Sequence, residues 1–441
     1  MTRKILTASA IMASLIAASC QDDSGLPNTA ANPDQEQHIG ADSASCGKIL
    51  MKFAAGSADT ACQLQKTYYA GPASGEPDGT VFWNEGDQFS IFPAGISGEN
   101  VMFTSNETPA SEYQYAFDRG NILNLDDITH IEYVEKSLGK LPELISFRYN
   151  PGSLKSGGVN AIIGKPEEAK YGLTREQIFE AYKICKEKGV KRFALHAMVA
   201  SNELNPESFE ETARILFQLS AELKEKLGVR IESIDLGGGL GIPYKPDQVA
   251  VDYDDVAKRI RKQYDAILVP AGLDPMKICW ECGRPITGPY GYLVTKAIHQ
   301  KHIYREYIGV DASMADLMRP GMYGAYHHVS VAGKPQECDR TPEAPNGGKP
   351  AQTEVYDVVG SLCENCDKFA VQRTLPKIDM GDLIIVHDAG AHGRAMGFNY
   401  NAKMRCGELL LRPNGEIVQI RRRETIEDYF ATIDFDGLAN F

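Results

Sequence analysis

Short apolar segments alternate with longer amphipathic stretches through the middle of the chain. Two stretches, 174–188 and 205–227, predict helices, and the second carries Phe209, Ala213, Leu216, Leu219 and Leu223 at helical spacing. The alternation of strand and helix predicts a parallel sheet or a (β/α) barrel, whose functional residues lie at the carboxyl ends of the strands. The strand candidates are residues 101–105, 122–125, 144–149, 192–196, 231–236 and 276–281.

The pattern changes after residue 292, where helical spacing becomes rare. Short apolar segments separated by turn residues predict a second, β-rich domain. We therefore expect a barrel over residues 96–300 and a β-domain over residues 301–441. The strand candidates of the second domain are residues 303–308, 325–332, 356–359, 383–387, 407–411 and 416–420.

A run of glycines follows the strand candidate at 231–236, in the sequence IESIDLGGGLGIPY. Gly237, Gly238 and Gly239 allow backbone conformations closed to other residues and a close approach to a ligand. Successive bare amides in such a turn form an anion site suited to phosphate, and a flexible turn is the alternative. The spacing fits neither GxGxxG nor GxxxxGK[ST], so these nucleotide-binding motifs are not supported.

The composition is that of a globular protein with small-molecule partners. The 441 residues are 43% hydrophobic, which allows a sizeable core and two or three domains. The net charge of −13, without a long basic block, argues against nucleic-acid binding. Ten cysteines are spread thinly along the chain, which favours reduced thiols over a disulfide framework.

The N-terminus has a different character. Arg3 and Lys4 precede an apolar segment and then Cys20, so residues 1–20 resemble a bacterial lipoprotein signal with a lipid anchor at Cys20. Residues 21–95 combine a polar linker with a foreign hairpin region, whose phrase GTVFWNEGDQFSIF resembles fimbrillin-type surface lipoproteins. No other segment is apolar for long enough to span a membrane.

Several motifs follow one another in a specific order. After His196 and the glycine run come ECGR at 281–284, LMRP at 317–320, SLCENCD at 361–367, DAGAHG at 388–393 and NYN at 399–401. In this order they resemble the diaminopimelate decarboxylases, pyridoxal 5′-phosphate (PLP) enzymes of the alanine-racemase-like fold, over most of the chain. The resemblance implies a (β/α)8 PLP-binding barrel joined to a β-rich domain. It also implies a cytoplasmic homodimer with a shared active site, which decarboxylates meso-2,6-diaminopimelate to L-lysine.

The resemblance also assigns roles to individual residues. A carboxylate keeps the pyridine nitrogen protonated, so that PLP can delocalise the carbanion that decarboxylation leaves, and the resemblance places Glu281 there. His196 stacks on the ring, and Cys363 of the partner subunit protonates the product. The phosphate is assigned to Gly237, Gly238, Gly239, Arg284, Ser201 and His392, the last in place of a tyrosine that many members carry. The substrate is assigned to Arg319, Tyr323 and Glu364.

One departure from the family pattern is serious. The Schiff-base lysine of the family lies on the first barrel strand in a phrase like YAVKAN, and no such phrase occurs here. Besides Lys4, the lysines upstream of the first strand candidate are Lys48, Lys52 and Lys66. We therefore expect a barrel without its first strand, PLP held through its phosphate and Glu281, and severely impaired turnover.

Two alternatives stay open. Cys279 and Cys282 form one CxxC pair, Cys363 and Cys366 another, and four thiolates could bind zinc, although the gap between the pairs exceeds that of usual zinc modules. The N-terminus favours a second function, a membrane-anchored surface lipoprotein of the cell envelope with a non-catalytic, PLP-binding barrel.

Overall fold

Two β-sheets, each with its own apolar core, make up the described part of the protein. The computed structural model describes Gly98, residues 101–155, 165–334 and 352–433, and one N-terminal strand, β1 (Ser14–Ala18). The predicted hairpin region, Cys20 and the three upstream lysines Lys48, Lys52 and Lys66 lie outside these residues.

The first sheet has six strands in sequence order, and all neighbours are parallel. β3 and β4 are buried at every position, as expected of parallel strands that are covered on both faces. All six strand candidates are confirmed to within three residues at each end. The strands are β2 (Met102–Thr104), β3 (Ile122–Leu125), β4 (Leu144–Arg148), β5 (Arg192–His196), β6 (Ile231–Asp235) and β7 (Lys277–Cys279).

Helices connect these strands and cover the sheet. The two predicted helices are confirmed: Thr174 caps the first in a capping box with Gln177, and Asn205 caps the second by accepting a bond from the Glu207 amide. The helices are α1 (Ala110–Asp118), α2 (His130–Leu138), α3 (Arg175–Glu187), α4 (Pro206–Leu227), α5 (Tyr253–Ile267) and the short α6 (Arg284–Thr287).

The second sheet contains the C-terminal strands and confirms the β-rich region. Its order is β12-β11-β9-β8-β1-β14-β15, and β13 joins β8 to β10. The strands are β8 (Gly291–His302), β9 (Glu306–Val310), β10 (Val329–Val331), β11 (Thr353–Val359), β12 (Lys368–Pro376), β13 (Leu383–Val386), β14 (Gly407–Leu411) and β15 (Ile417–Arg421), with helices α7 (Arg319–Tyr323) and α8 (Ile426–Phe430).

Four points of the strand prediction in this region need correction: the candidates at 303–308 and 325–332 begin too early, and β8 and β12 were not predicted. The candidate at 303–308 begins too early, because Ile303 lies in the turn between β8 and β9. β8 itself was not predicted, and it crosses the boundary expected at residue 300. Its first half alternates between buried and less buried positions, but its last five residues are exposed and mostly polar, so the apolar pattern of a strand is lost there.

The N-terminal strand β1 pairs in parallel with β8 and antiparallel with β14. It is the only described part of the predicted signal, whose identity stays a prediction. Among the described residues, no helix combines the length and the apolar character needed to cross a membrane.

Candidate active site

The glycine run forms a tight loop at the carboxyl end of β6. Gly237 and Gly239 have φ values of +69° and +94°, which L side chains rarely adopt. A Cβ on Gly237 would lie 2.2 Å from the Ala197 carbonyl oxygen, and one on Gly239 would lie 2.4 Å from that of Ala200. The loop is therefore pressed against the segment that follows β5, and only glycine fits at these two positions.

The loop amides are not equally available to a ligand. The Gly237 amide donates to the Asp235 carboxylate at 2.9 Å, and the Gly238 amide points to the Met198 sulfur at 3.0 Å. The Gly239 amide has no hydrogen-bond acceptor among the described residues. Of the predicted row of bare amides, mainly the Gly239 amide is therefore available to a ligand.

His196 and Glu281 meet where β5 and β7 end. His196 Nε2 lies 3.6 Å from Glu281 Oε1, and the Asn124 amide donates to His196 Nδ1 at 2.9 Å. A ring nitrogen that accepts a hydrogen bond carries no proton, so the imidazole proton is on Nε2 and faces Glu281. Asp235 completes a cluster in which one ligand atom of each residue lies within 4.8 Å of the others.

Burial and neighbouring charges shift the pKa values of the three residues of this cluster. Burial, and then the nearby Glu281, raise the pKa of Asp235 to about 7. Burial alone would also raise the pKa of Glu281, but His196 outweighs it and holds that pKa below the usual value. In the same way burial opposes the charge on His196, yet Glu281 raises its pKa. Glu281 is therefore the carboxylate of the cluster that keeps its negative charge.

Two further guanidinium groups are buried around Tyr244, which follows the glycine run. Arg284 is 6% and Arg319 is 4% exposed. Arg284 donates to the Tyr244 hydroxyl at 2.6 Å, and Arg319 donates to His327 Nε2 at 2.7 Å and lies 4.7 Å from the Tyr244 ring. Neither forms an ion pair with a carboxylate among the described residues, and burial lowers the pKa of Arg319 to about 10. Buried charge of this kind requires an anion, and a ligand can supply it.

His392 adds a neutral group to these guanidiniums. It has a φ of +55°, and its Nδ1 is buried without a hydrogen-bond partner in the described residues. Burial, then Arg284 and Arg319, lower its pKa to about 3. The imidazole is thus neutral near pH 7 and has an unused polar atom. Tyr323 lies further out, 37% exposed, at the end of α7.

A second group of side chains lies in the loop between β11 and β12. The exposed Cys363 thiol contacts the Tyr400 hydroxyl and the Asn401 amide nitrogen, each at 3.4 Å. Glu364 has a buried oxygen without a partner in the described residues, and a hydrogen bond from Tyr400 lowers its pKa. Within the described residues, no hydrogen bond or ion pair joins this group to Arg284 or Arg319.

The sequence-predicted residues thus fall into three places. His196, Glu281 and the loop of Gly237, Gly238 and Gly239 lie at the carboxyl end of the sheet, with Ser201 in the segment after β5. Arg284 and Arg319 lie around Tyr244 near His392, with Tyr323 at the exposed side, and the C-terminal loop holds Cys363 and Glu364. The sequence reasoning missed Asp235, Asn124, Tyr244 and His327. Asp235 and Tyr244 stand inside the glycine-rich phrase and could have been found there; the other two have no local signal.

The four cysteines of the zinc alternative do not come together. Cys282 is buried beyond β7, while Cys363 and Cys366 are exposed in the C-terminal loop. Within the described ranges, the cluster of possible metal ligands consists of His196, Asp235 and Glu281 and contains no thiol. The geometry therefore gives no support to a four-thiolate centre.

These groups fit a phosphorylated pyridine. The charged Glu281 suits a protonated ring nitrogen, and His196 Nε2 is a buried atom without a hydrogen-bond partner among the described residues. The guanidiniums, His392 and the Gly239 amide suit a phosphate. A lysine is missing from this set: the fully buried lysine of the described residues, Lys155, binds Ser208 and Glu211 on α4.

A parallel strand–helix sheet with such a site at its carboxyl end, joined to a β-rich domain, defines a PLP-dependent enzyme of the barrel type. The sequence profile described as "Pyridoxal-dependent decarboxylase, C-terminal sheet domain" matches residues 115–390, and the chain belongs to this family of decarboxylases.

Relatives and solved structures agree with this assignment. The chain is 39% identical to Protein TabA of Pseudomonas amygdali pv. tabaci, over 79% of this chain and 77% of that protein. It is 34% identical to the diaminopimelate decarboxylase of Methanothermobacter thermautotrophicus, over 78% and 76%. The structure of diaminopimelate decarboxylase from Helicobacter pylori, complexed with L-lysine, superposes with a TM-score of 0.66 at 27% identity, over 78% of this chain and 81% of that one.

Proposed function

We propose that this chain is a diaminopimelate decarboxylase, which removes a carboxylate from meso-2,6-diaminopimelate and releases L-lysine. The observation that carries the proposal is the pair of buried guanidiniums, Arg284 and Arg319, which both contact Tyr244 and have no ion-pair partner among the described residues. One guanidinium suits the cofactor phosphate and the other a substrate carboxylate. The names of the relatives support the choice of substrate.

The cofactor, when bound, supplies an electron sink for the electron pair that remains at Cα after CO2 leaves. Glu281 holds the proton on the pyridine nitrogen, because its own pKa is kept low by His196. Asn124 fixes the His196 ring, which would pack against the pyridine. Arg284, His392 and the Gly239 amide would hold the phosphate, with Ser201 as a further candidate donor.

The substrate is held by the more peripheral residues. Arg319 binds a carboxylate, Tyr323 lies at its exposed side, and Glu364 binds the distal ammonium group. Cys363 delivers the proton to the product. Because Cys363 and Glu364 have no hydrogen bond to the barrel site within the described part of one chain, we infer that two chains share each site in a homodimer.

Mixing two inactive variants tests the shared site. Glu281→Gln disables the barrel part and Cys363→Ala the loop part, so each homodimer should lose activity. A mixed dimer contains one site with both wild-type parts. We expect about a quarter of wild-type activity from an equal mixture after subunit exchange, measured as lysine formation; no recovery in a mixture shown to contain mixed dimers would rule out sharing.

The assay of the activity itself uses the full chain with added PLP. We expect CO2 and L-lysine from meso-2,6-diaminopimelate, and Glu281→Gln should lower the rate by at least about 100-fold, since placed proton-transfer groups contribute that much. Glu281→Asp, which keeps the charge, should retain more activity than the glutamine variant. Equal rates for wild type and Glu281→Gln would contradict the role of this carboxylate, and a faster reaction with another amino acid would contradict the substrate.

A further inference from the structure

Two thiols of the described residues differ from the other four. Cys363 and Cys366 are exposed, whereas Cys185, Cys282 and Cys406 are buried and Cys279 is partly buried. Burial raises the pKa of all four of these less exposed thiols, to about 12 for Cys185 and Cys279. Since thiolates are the reactive form, an oxidant in solution meets Cys363 and Cys366 first.

The two exposed thiols lie in one closed loop. The Gly360 amide donates to the Asp367 carbonyl at 3.0 Å and joins the ends of the loop between β11 and β12. The Asp367 carboxylate is 3% exposed, accepts from the Leu362 amide at 2.8 Å and also anchors the loop to Met314. The Asp367 amide donates to the Glu364 carbonyl at 3.0 Å, which forms a turn that includes Cys366.

Little holds either thiol in its reduced position. Within the described residues, Cys363 contacts Tyr400 and Asn401 at 3.4 Å each and also bonds Glu364, and sulfur is a weak hydrogen-bond partner. Cys366 has its carbonyl close to Gly321, where an added Cβ would lie 2.7 Å away, so the backbone is packed while the side chain is exposed. The CxxC spacing, with the 364–367 turn inside it, keeps the two cysteines three residues apart in one closed loop.

We propose that Cys363 and Cys366 are a reversible dithiol–disulfide pair, and that oxidation by a hydroperoxide removes the Cys363 thiol from the active site. With hydrogen peroxide, one thiolate attacks an oxygen, the O–O bond breaks, and the leaving hydroxide takes up the proton that the thiol had released, so that a sulfenic acid and one water are formed. The other thiol attacks this sulfur, an S–S bond forms and a second water leaves. The two sulfurs thus supply the two electrons that reduce the peroxide, and a small dithiol restores both thiols by exchange.

The disulfide depends only on the loop, while its effect on turnover rests on the proposed function. Once oxidised, Cys363 has no proton to deliver, so the enzyme stops until it is reduced. Cys366 has no role in the proposed reaction. It converts an oxidation that would proceed to irreversible acids into one that a dithiol can reverse.

The experiment uses the PLP-loaded full chain and hydrogen peroxide. We expect the peptide with both cysteines to lose about 2 Da, two free thiols to disappear, and dithiothreitol to restore both the thiols and the activity. Cys366→Ser should retain the basal activity but gain oxygen atoms on Cys363 and recover far less with dithiothreitol. Cys279→Ser is the matched control and should behave as wild type.

Three results would overturn the proposal. These are Cys363 sulfinic acid in the wild type without the internal disulfide, a disulfide between two chains on a non-reducing gel, and equal recovery of Cys366→Ser and wild type. The mass and thiol measurements need no turnover. If the disulfide forms in a chain without decarboxylase activity, the proposed function is refuted and the proposed dithiol–disulfide pair is supported.

Discussion

At the residue scale, the most informative side chain is His327, which the sequence did not single out. It is 0% exposed, accepts from Arg319 at Nε2 and donates from Nδ1 to the His387 carbonyl at 2.8 Å. Burial, and then Arg319, lower its pKa to about 3. His327 is therefore a neutral imidazole that holds the Arg319 guanidinium in place.

This pKa makes the stability of the protein depend on pH. The unfolded chain binds a proton at His327 below its ordinary pKa of about 6.5, whereas the folded chain does not until about pH 3. The unfolded state thus binds more protons between these values, and stability falls as the pH falls through this range. We expect His327 to contribute a slope of about 1.4 kcal/mol per pH unit between pH 4 and pH 6.

His327→Gln tests this slope, because a glutamine amide can donate and accept but does not titrate. We expect urea unfolding from pH 4 to pH 7.5 to show that the free energy of unfolding of this variant falls less steeply with falling pH. The difference in slope should correspond to about one bound proton. His392 has the same low pKa and is present in both proteins, so its contribution cancels. Parallel curves for the variant and the wild type would contradict a neutral, buried His327.

At the scale of elements, the glycine loop after β6 gives the sharpest prediction. Gly239→Ala places a Cβ 2.4 Å from the Ala200 carbonyl, so one of two backbone segments must move. The Gly239 amide then leaves the position that we propose for the cofactor phosphate. We expect PLP affinity, measured by absorbance titration, to fall about tenfold or more, which equals about 1.4 kcal/mol.

Gly415→Ala, in the turn between β14 and β15, is the matched control. Gly415 has a φ of +85°, close to that of Gly239, but a Cβ there meets nothing within 4 Å. Both variants carry the backbone strain of a left-handed residue, about 1–2 kcal/mol, and only Gly239→Ala adds the clash. Equal PLP affinities for the two variants would mean that the close approach at Gly239 does not matter for binding.

The sequence predicted elements well where burial is uniform. The strands β3, β5 and β14 were found at their observed bounds, because continuous or alternating apolar runs end at polar residues. β8 and β12 were missed because polar side chains occupy their exposed positions. Other features of the site depend on contacts between residues that are distant in sequence. Asn124 bonds His196, 72 positions away, and no local sequence pattern predicts such a pair.

At the scale of the whole molecule, the parallel sheet of the described residues has six strands, with β2 and β7 at its edges. A closed barrel of this class has eight, and the family places its cofactor-binding lysine on the first of them. The candidates Lys48, Lys52 and Lys66 lie outside the described residues, and Lys155 is engaged on α4. The described residues therefore include the side chains that we propose for the phosphate and the pyridine nitrogen, but they do not include a candidate for the Schiff-base lysine.

Borohydride reduction of the PLP-loaded chain tests this deficiency. We expect PLP to bind through Arg284, His392 and Glu281 and to leave when the reduced protein is unfolded, because no lysine has been joined to it. Turnover should then be slow, since the substrate amine must react with the free aldehyde instead of exchanging with a lysine. Glu281→Ala, which weakens binding without touching any lysine, is the control for non-specific labelling. A single reduced label on Lys48, Lys52 or Lys66 that survives unfolding, mapped by mass spectrometry, would contradict the expectation and place that lysine at the open edge of the sheet.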